Sequence, residues 1–229
     1  MSDAEAGAEV RVYLELGSRR TFACACEWPG WARSGRSEEE ALAALGAYTP
    51  RYRTVATGAG LVFPEPVSFQ VVERLRGSST TDFGAPGQIP SCDRVTLGAQ
   101  AGTRLAALLG SAWQRLDEAV AAAPSRLRKG PRGGGRDRDA IVAHVLGAES
   151  VYARRLGLGP SPKSPDPVAA VTVRDWILAQ LTSAVAPAED ARWPLRYAAR
   201  RMAWHVLDHA WEMEDRSLAP SPEWYAGQT

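Results

Sequence analysis

Three histidines, His144, His205 and His209, are the residues whose type and spacing best suit chemistry. His205 and His209 stand four apart in RYAARRMAWHVLDHAWEMEDR, a run of strongly helical character. Each helical residue advances about 100°, so such a pair differs by about 40° and lies one turn apart on one face. Two imidazoles so placed can converge on one divalent ion. His144 sits in an earlier helical run, in phase with the apolar stripe of Val142, Val145 and Leu146. If the two helices are neighbours, a third imidazole reaches the same point. Three neutral nitrogen ligands leave a coordination position open, as in catalytic rather than structural metal sites. Imidazole suits zinc, iron, nickel and copper, so ligand type alone does not name the metal. The adjacent glutamate of a zincin helix is missing, and a satisfied core or boundary histidine is the other reading of each position.

The neighbours of these histidines suggest supporting roles. Asp208, three residues after His205, is a candidate to accept the second N–H of a metal-bound imidazole. Its alternative is a solvent-side charge beside Arg201 or Glu212. Arg201, one turn before His205, either faces the cavity and holds an anionic substrate or pairs with solvent-facing acids. The loop 126–138, RLRKGPRGGGRDR, carries six basic residues and four glycines against one acid. Glycine lets backbone amides approach an anion, and guanidinium forks bind carboxylate or phosphate. Lys129, Arg132 and Arg136 are therefore candidate substrate contacts at the mouth of the site. The alternative is a solvated loop, and the spacing is not that of a P-loop. Cys24 and Cys26 share one strand face and read as core residues without nearby Cys or His partners. Trp204 and Trp211 read as packing residues.

The elements that must position these groups fall into two parts. Residues 10–16, VRVYLEL, alternate apolar and polar side chains as a half-buried strand does. A Gly17–Arg20 turn leads into TFACACEW as its hairpin partner, and WARSGRS supplies a short third strand. Ser37 followed by three glutamates starts a helix that runs to Thr49-Pro50. SFQVVERL at 68–75 is a final strand. The expectation is α+β: a small antiparallel sheet with one face covered by a helix over residues 10–75. Residues 76–98, rich in Gly, Pro, Ser and Thr, read as a linker or an ordered crossing loop. Beyond them, helices are expected at 99–122, from Asp137 through Leu156, at about 167–186 and at about 195–216. Each has one dominant apolar face, which predicts a four-helix bundle over 99–218.

Composition bounds the class. Of 229 residues, 45% are hydrophobic and 23% charged, with a formal net charge of +1. That balance argues against a general nucleic-acid binder and against attraction to a membrane surface. No apolar run approaches the roughly 18 residues that span a bilayer. The acidic, polar start MSDAEAGAEV is unlike a signal peptide, and three cysteines fit a reduced compartment, so the expected location is cytoplasmic.

Residues 99–216 resemble the DinB-like family of metal-binding four-helix bundles, which includes mycothiol-dependent maleylpyruvate isomerases and related thiol transferases. The family motif is one histidine in the second helix and an HxxxH pair in the fourth; His144, His205 and His209 stand in those places. The resemblance implies a divalent metal (zinc, nickel or iron) that binds a thiol cosubstrate such as mycothiol and presents it as a thiolate to a small electrophile. Residues 10–75 resemble the HicB-like antitoxin domain through Trp28-Pro29-Gly30, Gly35 and Ser37-Glu38-Glu39-Glu40-Ala41. That likeness implies partner contacts or self-association, a homodimer included, or a wall of the active site. The catalytic histidine of some relatives is absent from this half. Two functions follow. One is a metal-dependent thiol transferase or isomerase acting on a small molecule. The other is a non-catalytic, antitoxin-like or regulatory binding protein. The Ala, Gly, Pro and Arg content matches GC-rich bacterial coding, compatible with an actinomycete and with mycothiol.

Overall fold

The computed structural model describes residues 8–130, 134–157, 167–183 and 192–217. It begins with strands β1 (Ala8–Leu16), β2 (Thr21–Ala25) and β3 (Ala32–Gly35). Helices α1 (Glu38–Ala47) and α2 (Thr49–Gly58) then lead to β4 (Val67–Arg76). Ser37 caps α1 by accepting from the Glu40 amide at 3.1 Å, and Glu40 reaches back to the Arg36 amide at 2.8 Å. Pro50, expected to end the helical stretch, instead lies in the first turn of α2. A missing N–H costs nothing there.

The sheet has the order β3-β2-β1-β4. β1 pairs antiparallel with β2, as does β2 with β3, but β4 runs parallel to β1. The expected all-antiparallel sheet is thus corrected to a mixed one. Two helices separate β3 from β4, and such a crossover returns the chain in the direction of β1.

Both faces of the centre of this sheet are buried, which period-two alternation did not anticipate. Val10, Val12 and Leu14 pack with Trp31, Leu45, Tyr52 and Val55 under α1 and α2. On the opposite face Tyr13, Phe22, Cys24 and Cys26 pack with Trp204. Phe22 meets Trp204 edge-on at 6.2 Å. Glu15, also on this face, is fully buried. Its carboxylate accepts from Thr81 and, at 3.0 Å each, from the Gly87 and Gln88 amides. A buried charge needs such donors, and these fix the 76–98 stretch against the sheet. That stretch also holds a short helix α3 (Ser79–Phe83) and a 3-10 turn at Ser91–Asp93.

Four helices follow: α4 (Ala99–Ala122), α5 (Arg138–Arg155), α6 (Pro167–Ser183) and α7 (Leu195–Ser217). α4 packs on α6 and α7, and α5 packs on the same two. Gly102 permits the α4–α6 approach, because a Cβ there would stand 2.0 Å from the Leu181 carbonyl oxygen. α7 is buried along most of its length, from Leu195 through Met213. One core cluster runs from the strands through to all four helices. Among the described residues, no helix is long and apolar enough to cross a membrane.

Candidate metal centre

α5 turns Ile141, Val145, Glu149 and Ala153 inward, one per turn, and sets His144 beside that stripe. α7 carries His205, only 7% exposed, and His209. Because α5 packs directly on α7, the three rings meet. His144 and His205 lie 5.0 Å apart between centroids, His144 and His209 5.1 Å, and His205 and His209 4.7 Å. Nε2 of His205 stands 3.2 Å from Nε2 of His144. One ring nitrogen from each histidine lies within 4.8 Å of the others. Nitrogens bound at about 2.0–2.1 Å to a tetrahedral ion stand about 3.3–3.4 Å apart, so the His144–His205 separation already suits chelation. The triad could hold a metal ion.

The local electrostatics disfavour the charged forms of His144 and His205. Burial, then the neighbouring His209 and His144, push His205 down to about 2. Burial also lowers His144, with the positive charge of Arg136 and the proximity of His209 adding to it. A neutral imidazole is the form that ligates. The Nδ1 atom of His205 is buried and has no hydrogen-bond partner among the described residues.

His209 is oriented by Glu212, which enters the sequence argument only as a neighbour of Asp208. Its Nδ1 lies 2.9 Å from Oε2 of Glu212, whose other oxygen accepts from Arg216 at 2.6 Å. Burial alone would raise the Glu212 carboxyl, but these two hydrogen bonds outweigh it and hold it below its ordinary value. An ionised carboxylate only accepts, so Nδ1 of His209 is the donor in this contact and Nε2 is the nitrogen left for a metal. Position i+3 from His209 was the available signal for Glu212.

The remaining predicted residues separate. Asp208 turns to Arg33 of β3, with 3.1 Å between Nη1 and Oδ1. Burial raises its carboxyl against the pull of Arg33. Arg201 donates to the Pro86 carbonyl at 2.6 Å and lies over the Trp204 and Tyr152 rings, at 4.7 and 5.9 Å. Its charge is still felt at His205. Lys129 is held within its own loop by Asp137 at 3.1 Å. Arg136 is exposed, and its charge acts on both His144 and His205. Arg132 lies outside the described residues. An aromatic wall not read from the sequence borders the triad: Tyr152 meets His205 at 5.8 Å and Trp193 at 5.2 Å, and Trp193 meets Tyr197 at 5.1 Å.

No family model matches the sequence, and neither a curated protein nor a solved structure matches it.

Proposed function

We propose that the protein is a metal-dependent enzyme of the DinB-like kind, which activates a thiol for transfer to, or isomerisation of, a small electrophile. Mycothiol is the thiol that the resemblance of the histidine pattern suggests. The observation that carries the proposal is the approach of three imidazoles from two helices, with 3.2 Å between two of their Nε2 atoms. His144, His205 and His209 would hold the ion, and zinc, nickel and iron all accept such donors. The metal supplies Lewis acidity, lowering the pKa of a bound thiol so that it stands as a thiolate near neutral pH.

The chain's own residues do the rest. Burial of His205 keeps its ligating lone pair free of a proton. Glu212 fixes the tautomer of His209. Tyr152 and Trp193 screen one side of the triad from water. Arg136, at the exposed margin, supplies a cation for an anionic group of the electrophile. The HicB-like half serves as a wall behind α7.

The test is to purify the untagged protein and measure bound metal by elemental analysis, alongside His209→Ala. Stoichiometric metal in the wild type and its loss in the variant are expected. A metal-free wild type that also fails to take up zinc, nickel or iron would overturn the proposal. With metal present, consumption of a thiol across a panel of electrophiles separates a transferase from a non-catalytic binding protein.

A further inference from the structure

Cys26 follows the last residue of β2, and its own amide donates to the Arg11 carbonyl at 2.8 Å. Read along the strand it has only Cys24 for company. In three dimensions the 3-10 turn Ser91–Asp93 brings Cys92 against the same cluster. That turn is held from two sides. Ser91 gives its amide and hydroxyl to the Glu73 carboxylate, at 2.8 Å each. Asp93 is clamped by Arg200, with both contacts at 2.7 Å. The Arg200 Nη2 also reaches the Cys26 carbonyl at 2.6 Å and lies 3.8 Å from the Cys92 sulfur. A single buried guanidinium therefore fixes the backbone of one cysteine and faces the thiol of the other.

Both cysteines line a cavity of about 610 Å³ between the sheet and α4. Their exposures differ. Cys26 is 7% exposed, whereas Cys92 is half-buried. The neighbouring Cys26 and, against the cost of burial, the charge of Arg200 hold Cys92 below an ordinary thiol, and its sulfur lies 3.9 Å from Oδ1 of Asp93. The neighbouring Cys92, and then burial, push Cys26 up. Cys24 lies on the same sheet face, opposite Tyr13 in the strand register, and burial chiefly pushes its thiol up to about 12. A half-buried thiol beside a guanidinium, next to a second thiol that is almost fully buried, is the arrangement of an attacking and a resolving cysteine.

We propose that Cys26 and Cys92 form a thiol–disulfide redox site, with a hydroperoxide as oxidant, Cys92 as nucleophile and Cys26 as resolving thiol. The Cys92 thiolate attacks one peroxide oxygen. The O–O bond breaks, the leaving oxygen takes a proton and departs as water or alcohol, and Cys92 becomes a sulfenic acid. The Cys26 sulfur then attacks the Cys92 sulfur. The S–O bond breaks, the hydroxyl leaves with the Cys26 proton as water, and the disulfide forms. Two thiols are oxidised by two electrons while one peroxide is reduced. The site is independent of the histidine triad, and the product staples the crossing segment to the end of β2.

The experiment treats the reduced full-length protein with stoichiometric hydrogen peroxide under native conditions, then counts free thiols and maps disulfide peptides. The expected result is a fall from three free thiols to one, with a Cys26–Cys92 linked peptide and Cys24 still free. In Cys92→Ala the count should stay unchanged after peroxide. In Cys26→Ala oxidation should stop at a sulfenic acid on Cys92, trapped by a dione reagent. Mapping of the wild type needs no variant to fold. Three remaining thiols, a link through Cys24, or a disulfide between two chains would each overturn the proposal.

Discussion

Glu212 bridges His209 and Arg216, taking Nδ1 of the histidine at 2.9 Å and Nη1 of the arginine at 2.6 Å. The bridge runs along one face of α7, and it determines which nitrogen of His209 is free. Outer partners of this kind matter to a metal almost as much as its ligands do. Replacing Glu212 with alanine should weaken metal binding by about 10- to 100-fold. Asp208→Asn, which loses only the charge facing Arg33, should leave the affinity close to wild type. Competition against a chromophoric chelator measures both.

The metal-free protein should lose stability as the pH falls from 7 to 5.5. An unfolded histidine protonates near 6.5, whereas the folded His205 resists until about 2 and His144 is shifted the same way. Below about 6.5 the unfolded chain binds more protons, so acid favours unfolding; the contribution is complete only above that value. The slope from one such site is at most about 1.4 kcal/mol per pH unit. Asp208, whose carboxyl is raised by burial, acts in the opposite sense. Urea titrations of chelator-treated protein give the slope, which His205→Asn should flatten.

Arg200 and Asp93 join α7 to the crossing segment as an ion pair, with side chains 9% and 2% exposed. Truncating Arg200 to alanine leaves a buried carboxylate and frees the Ala25 and Cys26 carbonyls. The expected loss is about 3–5 kcal/mol, the usual cost of an uncompensated buried charge. In the double variant with Asp93→Asn the losses should fall short of additive. Thermal unfolding of the three variants checks this.

Two glycines of α4 should respond oppositely to alanine. Gly102→Ala drives a methyl into the Leu181 carbonyl of α6 and should cost about 1–3 kcal/mol as an overpacked contact. Gly110→Ala meets nothing within 4 Å. It should stabilise by up to about 1 kcal/mol through helix propensity. Denaturant midpoints separate the two directions.

Much of the local structure was legible. The Ser37 cap, the α4 stripe of Leu105, Leu108, Leu109 and Leu116, and the helical phase of His205 and His209 are short-range properties of consecutive residues. The parallel placement of β4 was not, because alternation in β4 is the same whichever way its neighbour runs. Nor was burial of the second sheet face, since Tyr13 and Glu15 look solvent-facing until α7 and the crossing segment cover them. Pro50 read as a stop because proline breaks helix interiors, yet it equally opens α2.

At the candidate site the same division holds. By itself, the sequence determined that His205 and His209 share a face, because helical rise and rotation alone set that relation. It also placed His144 in phase with the apolar residues Val142, Val145 and Leu146. Only the tertiary structure decided that α5 packs on α7 closely enough to bring two Nε2 atoms to 3.2 Å. It alone decided that Glu212 rather than Asp208 meets Nδ1 of His209, and that Cys92 joins the cluster and cavity that hold Cys26. These are contacts between residues distant in the chain, or choices among rotamers on one helix. Their outcome depends on which neighbouring surfaces bury the groups, and local periodicity carries no record of that.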